Sequence, residues 1–235
     1  MTRCIVRNIP NTLTSCNLFS GCIASYMAFH ADYRMALLFI VIGAAFDFMD
    51  GMAARLLRVI SPIGKELDSL ADDITFGLAP AAIVFSLFHE VHYPAFMEPV
   101  ESLMPYTAFI IAVFSGLRLA KFNIDERQKS SFIGMPTPAN ALFWASLAVG
   151  QHGFLTSGSF NAIYLFILVM ITSLLLVAEI PMFSLKFKDL SLSRNKVSYL
   201  FLIVCIPLFI IFQLSGFAAA IAWYVMLSVV VRNFN

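Results

Sequence analysis

The stretch ALLFIVIGAAFDFMDGMAARLLRVISPIGKELDSLADD, residues 36–73, decides the fold of this chain. Its first half is apolar enough for a membrane-spanning helix, yet that half ends with Asp47 and Asp50. After a Ser-Pro turn, the second half carries Asp68 and Asp72. A carboxylate within a membrane span is costly, so it marks a functional site by default. The stretch therefore predicts a helical hairpin in a membrane that carries an acidic site.

The composition of the whole chain agrees with a membrane location. Of 235 residues, 60% are hydrophobic and 12% are charged, and the mean hydropathy is +0.85. Soluble domains are about half apolar and about a quarter charged. This chain cannot cover a water-facing surface, which excludes a soluble enzyme and a disordered chain. A net charge of +1 without a long basic run gives no sign of a nucleic-acid partner. We expect one all-α integral membrane domain over residues 1–235.

Apolar stretches of about 20 residues predict the membrane spans. The last apolar stretch, 197–231, would be roughly 50 Å long as one helix, whereas the hydrocarbon core is about 30 Å thick. We therefore expect two helices that turn at residues 213–216. This gives eight spans, near residues 12–30, 33–57, 70–90, 104–121, 138–154, 159–180, 197–213 and 215–231.

The positions of Lys and Arg predict the orientation of these spans. Fourteen of the fifteen basic residues lie at the termini or in alternate connections, and only Arg34 falls on the other side. Cytoplasmic connections are enriched in Lys and Arg. An even number of spans in the cytoplasmic membrane, with both termini and the acidic site facing the cytoplasm, explains the pattern.

The four aspartates have spacings that place them on two helical faces. Asp47 and Asp50 are three residues apart, and Asp68 and Asp72 are four apart, so each pair shares one face. In an antiparallel hairpin they can converge about 10–16 Å below the turn. Four such charges repel one another unless cations neutralise them. Carboxylate oxygens suit Mg²⁺, Mn²⁺ or Ca²⁺, and two such ions would balance the four charges.

Small and basic residues beside the aspartates indicate a phosphorylated ligand. Gly51 and Ala54 follow Asp50, and we expect Gly64 in the turn. The small side chains at these three positions would let a bulky polar group approach the backbone. Arg55 lies about one turn beyond Asp50 and could hold a phosphate. Metal, phosphate and a carboxylate base together describe phosphoryl transfer.

Other interpretations of the acidic residues remain open. They could form a solvated rim, or a cation or proton pathway in a transporter. Buried charges spread over many spans would favour a transporter, whereas these cluster on one hairpin. Asp73 points about 100° away from Asp72, and we expect it to be solvated or in a salt bridge.

At these residues the chain resembles the CDP-alcohol phosphotransferases, whose signature is D-x2-D-G-x2-A-R-x8-G-x3-D-x3-D. Every fixed position is matched, by Asp47, Asp50, Gly51, Ala54, Arg55, Gly64, Asp68 and Asp72. The resemblance implies a helical membrane enzyme of phospholipid biosynthesis that uses a CDP-linked lipid, releases CMP and needs Mg²⁺ or Mn²⁺.

The resemblance also implies a role for each matched residue. Metal ligands would be Asp47, Asp50, Asp68 and Asp72, with Asp72 also the general base. Gly51 and Ala54 would lie against the cytidine nucleotide. Arg55 would fix the nucleotide or its pyrophosphate, and Gly64 would let the turn close over it.

Flanking segments are similar to the phosphatidylserine synthase branch of this family. These segments lie at residues 9–21, 64–81, 117–123, 134–141 and 180–188. The resemblance implies a six-helix catalytic core over about 9–190, and the helix pair over about 197–231 shows no motif. It further implies CDP-diacylglycerol as donor, L-serine as acceptor, a membrane lipid environment and a homodimer. Another acceptor, glycerol 3-phosphate or an inositol compound, remains the alternative.

A serine site needs a cation for the carboxylate and an anion or carbonyls for the amine. Arg118, Lys121 and Asn123 end the fourth predicted span on the same side as the aspartates. We expect them to bind serine or phosphate. Anchoring at the membrane interface is the competing interpretation of the two cations.

Overall fold

The computed structural model describes residues 2–59, 61–125, 133–183 and 195–232, with side chains described from residue 8 to residue 231. The described residues form helices joined by turns, so the predicted all-α membrane class is confirmed. Some basic residues that enter the orientation argument lie outside the described residues. These are Arg127, Lys129, Lys186, Lys188 and Arg194.

The first half of the chain forms a helical hairpin preceded by one long helix. The elements are α1 (Thr2–Phe29), α2 (Tyr33–Leu57), α3 (Pro62–Asp72), a π-helix (Asp73–Leu78) and α4 (Ala79–Phe88). Arg58 ends α2 in a left-handed conformation with φ 52°. Ser61 begins α3 because its hydroxyl accepts the Gly64 N–H, and Pro62 occupies the first helical turn, where it costs no hydrogen bond.

The described residues of the second half form five further α-helices after α5. Two short 3₁₀ segments (Ala95–Val100 and Met104–Phe109) precede α5 (Ile110–Ile124). The elements that follow are α6 (Thr137–Gly150), α7 (His152–Leu155), α8 (Ala162–Val177), α9 (Lys196–Phe212) and α10 (Gly216–Arg232).

Four helical stretches of the described chain, the last of them divided by a turn, are long and apolar enough to cross a membrane. They are Tyr33–Leu57, Pro62–Phe88, Met104–Ile124 and Lys196–Val231. The total of eight spans stays a prediction. The third predicted span begins earlier than expected, at Pro62 instead of residue 70. Gly64 therefore lies in the first turn of α3 and not in the connection, because Ser61 caps the helix ahead of it.

The last apolar stretch divides where the sequence predicts a turn. A 3₁₀ turn at Gln213–Ser215, with φ 49° at Gln213, separates α9 from α10, and the two helices pack against each other. A Cβ at Gly216 would lie 2.8 Å from Phe209 Cδ1, so glycine allows the close return. The predicted division into two helices is confirmed.

The stretch Pro62–Phe88 is the central element of the fold. In an apolar segment of 18 residues within this stretch, 67% of the residues are buried, whereas 22% are buried in the corresponding segment of Tyr33–Leu57. Phe76, Ile83 and Phe88 of this stretch are fully buried. The buried π-helix and α4 thus fix the end of α3 that carries Asp72, whereas Ala71 is the buried residue of α3 itself.

A polar cluster closes the end of the bundle at the start of α2. The Tyr33 hydroxyl donates to Glu90 Oε1 at 2.5 Å, and His152 Nε2 lies 2.6 Å from Glu90 Oε2. The rings of Tyr33 and His152 are 5.5 Å apart. Glu90 therefore joins α2 to the segment after α4 and to α7.

Candidate functional site

Three of the four predicted metal ligands meet between α2 and α3. Carboxylate oxygens of Asp47, Asp50 and Asp68 all lie within 4.8 Å of one another. Asp50 is buried, with 6% of its surface exposed, and Thr14 on α1 donates to its Oδ2 at 2.5 Å. The helix α1 therefore supports the acidic site, a contribution that the motif does not contain.

The chemistry of this group fits a divalent cation. Asp68 Oδ1 is buried and accepts no hydrogen bond from any described residue. Three carboxylates this close repel one another, and a buried charge needs a partner. An all-oxygen set is the donor type that Mg²⁺, Mn²⁺ and Ca²⁺ prefer.

Asp72 lies one turn beyond Asp68 and outside the group of three. Asn17 on α1 donates from Nδ2 to Asp72 Oδ1 at 3.2 Å. Asn17 is fully buried, and its own Oδ1 accepts from Thr75 Oγ1 at 2.8 Å. The Asp72 carboxylate is therefore oriented by a fixed amide. Sequence reasoning did not assign this role, and the available signal was a polar amide within the first predicted span.

Two glycines allow α1 and α2 to approach the π-helix at this point. A Cβ at Gly21 would overlap Thr75 Oγ1, and a Cβ at Gly43 would lie 2.6 Å from Thr75 Cγ2 and 2.9 Å from Asn17 Oδ1. Real Cβ atoms do not approach other atoms this closely. The absence of side chains here brings Asn17 within reach of Asp72.

A cavity of about 280 Å³ is lined by two of the three carboxylates, those of Asp50 and Asp68. Among its lining residues are five that the motif predicts, Asp50, Gly51, Ala54, Gly64 and Asp68. Sequence reasoning missed the residues that α1, the connection and α3 add, which are Pro10, Asn11, Thr14, Val59, Ser61 and Lys65. Arg55 is exposed and does not line the cavity.

The predicted serine-site residues do not form one group. Arg118 is buried, donates from Nη1 to Thr137 Oγ1 at 3.4 Å and interacts electrostatically with Asp72. Arg118 and Lys121 line a second cavity of about 320 Å³. Asn123 does not line it and instead donates to Ser69 Oγ at 2.8 Å, which ties α5 to α3.

The structure places Asp73 in a half-buried position, and the expectation that it is solvated or in a salt bridge stays a prediction. Its side chain faces α5, because its carboxylate oxygens lie 3.5 and 3.6 Å from the Cβ position at Gly116. Asp73 Oδ1 is buried, and no described residue donates a hydrogen bond to it. The π-helix begins at Asp73, and its half-buried carboxylate packs against α5.

The sequence of this chain is similar to those of known proteins. A family profile described as CDP-alcohol phosphatidyltransferase matches residues 7–172. A Bacillus subtilis protein named CDP-diacylglycerol–serine O-phosphatidyltransferase is 38% identical over 130 residues, which cover 55% of this chain and 69% of the relative. A Methanocaldococcus jannaschii protein of the same name is 31% identical over 172 residues, 73% of this chain and 72% of the relative. A Helicobacter pylori protein of that name is 34% identical over 135 residues, 57% of this chain and 54% of the relative.

The coverage of these relatives differs. The chain spans about half the length of the Helicobacter protein and about two-thirds or more of the other two. The profile match begins within α1, ends within α8 and includes every residue of the motif. Matches of this extent, together with a carboxylate group suited to the divalent metal on which the family depends, establish that the chain belongs to the CDP-alcohol phosphatidyltransferase family.

Proposed function

We propose that this membrane protein transfers the phosphatidyl group from CDP-diacylglycerol to L-serine, yielding phosphatidylserine and CMP. The observation that carries the proposal is the group of Asp47, Asp50 and Asp68 within 4.8 Å of one another, beside a cavity lined by Gly51, Ala54 and Gly64. Relatives named for this reaction support serine as the acceptor.

The metal ligands would be Asp47, Asp50 and Asp68, together with Asp72. Two ions of Mg²⁺ or Mn²⁺ would neutralise the charge on the donor's pyrophosphate and on the departing CMP. The buried Asp68 Oδ1 supports this assignment, because it has no hydrogen-bond partner among the residues that the structure describes.

The cavity beside these carboxylates would hold the cytidine nucleotide. Gly51 and Ala54 let a polar ligand lie against the backbone of α2. Gly64 keeps the start of α3 close to α1, because a Cβ there would lie 2.6 Å from Asn11 Oδ1. Arg55 would reach the pyrophosphate from the rim, and the acyl chains would remain in the bilayer.

Asp72 would act as the general base. It would accept the proton of the serine hydroxyl while the serine oxygen bonds to the lipid-side phosphorus and the bond from that phosphorus to CMP breaks. Asn17 bonds Asp72 Oδ1 and leaves Oδ2 for the proton. Because the amide is itself held by Thr75, the carboxylate cannot easily rotate away.

The acceptor would lie between Asp72 and Arg118. Arg118 is buried and interacts electrostatically with Asp72, which suits a ligand with a carboxylate or a phosphate. Lys121 would add positive charge at the second cavity or anchor the protein at the interface. Asn123 would act indirectly, because it holds α5 against α3 through Ser69.

The site would face the cytoplasm, with both termini on the same side. Arg58 and Lys65 beside the nucleotide cavity support this orientation, because cytoplasmic connections are rich in cations. We also propose a homodimer, on the basis of the family resemblance.

The test is CMP release by purified protein in detergent with CDP-diacylglycerol, Mn²⁺ or Mg²⁺, and one acceptor at a time. The acceptors are L-serine, glycerol 3-phosphate, myo-inositol and none. We expect serine-dependent release that a chelator abolishes. Release with a different acceptor would keep the chemistry and overturn serine. Protein that fails to bind CDP-diacylglycerol would overturn the enzyme assignment and favour the transporter.

A further inference from the structure

Four polar side chains on the π-helix, α5 and α6 have buried atoms without hydrogen-bond partners among the described residues; three of the side chains are buried, and that of Asp73 is half-buried. We name Asp73, Ser115, Arg118 and Asn140 the α5 polar cluster. The unpaired atoms are Asp73 Oδ1, Ser115 Oγ, Arg118 Nε and both amide atoms of Asn140. Ser115 and Asn140 are 0% exposed, and Arg118 is 7% exposed. Native proteins leave few buried polar atoms unpaired, so this concentration points to a polar ligand.

Asp73 and Ser115 flank the same glycine. The Cβ position at Gly77 lies 2.7 Å from Asp73 Oδ1 and 3.0 Å from Ser115 Oγ. On the neighbouring helix, the Cβ position at Gly116 lies 3.5 Å from Asp73 Oδ2. Because neither position carries a side chain, a carboxylate fits between the two helices with one oxygen left unpaired.

Arg118 continues the α5 polar cluster toward the proposed base. It lies three residues after Ser115, so both side chains are on one face of α5, and both are buried. Its Nη1 donates to Thr137, which lies three residues before Asn140 on α6. Its charge interacts with that of Asp72. The unpaired atoms therefore extend from the π-helix to the side chain that we expect to hold the acceptor's carboxylate.

The π-helix separates the directions of two consecutive carboxylates. Asp72 ends α3 and bonds Asn17 of α1, whereas Asp73 begins the π-helix and packs against α5. Single π-turns within α-helices occur often at functional sites. The end of α3 and the start of the π-helix thus carry the Asp72 carboxylate, which Asn17 holds, and the Asp73 carboxylate, whose Oδ1 has no partner among the described residues.

We propose that Asp73 binds the ammonium group of the amino-acid acceptor, with Ser115 as a second polar contact. This rests on the proposed function, in which Asp72 receives the hydroxyl proton and Arg118 binds the carboxylate. L-serine carries these three groups on adjacent carbons. Glycerol 3-phosphate has no cation, so it would place an anion near Asp73, and such like-charge contacts reject the wrong ligand.

The test compares Asp73→Asn with the wild-type protein, using CMP release at saturating CDP-diacylglycerol. Hydrogen bonds to charged groups correspond to a KM change of about 10- to 100-fold. We expect the KM for serine to rise by that factor, with a smaller change in kcat. The preference for L-serine over 3-hydroxypropionate, which lacks the amine, should fall by a similar factor. Asp32→Asn is the matched control, because it removes one carboxylate from an exposed cap that asparagine fills equally well.

Two further measurements separate this role from a structural one. The metal concentration that gives half-maximal activity is measured for each variant, because Asp73 adjoins a proposed metal ligand. Ser115→Ala, which keeps the carboxylate, should raise the KM for serine in the same direction by a smaller factor, and it replaces Asp73→Asn if that variant does not fold.

The outcomes distinguish the two proposals. The ammonium site is overturned if the KM for serine is unchanged in Asp73→Asn, or in Ser115→Ala where Asp73→Asn does not fold. In that case serine-dependent CMP release by the wild type still supports the proposed function. A change in metal requirement without a change in the KM for serine also overturns it. A wild-type protein that uses an acceptor without an amine overturns both.

Discussion

Asn17 donates a hydrogen bond to Asp72 over 3.2 Å and so connects the first helix to the proposed general base. The side-chain amide of Asn17 cannot turn freely. The Thr75 hydroxyl is shared between Asn17 Oδ1, at 2.8 Å, and the backbone carbonyl oxygen of Asn17, at 3.1 Å. Gly43 and Gly21 leave room for this contact. The relationship makes α1 a part of the site, although the signature motif lies entirely on α2 and α3.

Replacing Asn17 by alanine should lower kcat more than it lowers binding of the lipid donor. Partners that orient a catalytic side chain typically contribute about 10- to 100-fold in activity. The matched variant is Thr75→Val, which removes the anchor of Asn17 but keeps the bond to Asp72. Its kcat should be closer to that of the wild type. An unchanged kcat in Asn17→Ala would contradict the orienting role, and equal losses in the two variants would show that the bond to Asp72 depends on the anchor at Thr75.

Asp72→Asn should abolish turnover and preserve donor binding. A positioned general base typically contributes about 10²- to 10⁴-fold in rate, and asparagine keeps the shape of the side chain. CMP release and equilibrium binding of CDP-diacylglycerol are measured on the same preparation. Normal CMP release from this variant would remove Asp72 from the base role.

Asp47→Asn and Asp68→Asn should each lower activity on the order of 10²-fold or more, because the metals no longer neutralise the pyrophosphate. Raising the Mn²⁺ or Mg²⁺ concentration should restore part of the loss. Glu66→Gln is the control, since Glu66 is exposed on the same helix as Asp68. A loss that metal titration does not alter, or an equal loss in Glu66→Gln, would contradict the metal assignment.

Gly51→Ala should weaken donor binding without weakening the fold. Among the described residues, the added Cβ would meet only Arg55 Nη1, at 3.9 Å. Alanine within a helix is more favourable than glycine by about 1 kcal/mol, so the thermal midpoint should not fall. Overpacking against a ligand costs about 1–3 kcal/mol, so we expect a clearly higher KM for CDP-diacylglycerol. Gly153→Ala is the control, because no atom of the part of the chain that the structure describes lies within 4 Å of the added Cβ.

Glu90→Ala should destabilise the protein and leave the chemistry nearly intact. The substitution removes the shared partner of Tyr33 and His152, and an unpaired buried polar group costs about 1–3 kcal/mol. Thermal unfolding in detergent measures the effect, and kcat provides the comparison. Glu98→Ala, at an exposed position, should leave both unchanged. A large loss of kcat in stable Glu90→Ala protein would show that this end of the bundle takes part in the reaction.

Local chemistry explains why the hairpin could be predicted. The aspartates are three and four residues apart, so helical periodicity alone places each pair on one face. The turn at Gln213 followed from the length of the apolar stretch against the thickness of a bilayer. The predicted position of Gly64 was wrong because Ser61 caps α3, so the helix begins before the apolar stretch from which the third span was predicted.

The sequence by itself determined the membrane class, the acidic hairpin and the chemistry that its residues can perform, because composition and helical spacing are local properties. The tertiary structure decided which side chains complete the site. Thr14 and Asn17 reach the aspartates only because α1 packs against α2 and the π-helix. Asp73 faces α5 because glycines at positions 77 and 116 leave space there. Such contacts depend on how helices distant in sequence pack together, and helical periodicity within one segment does not contain that information.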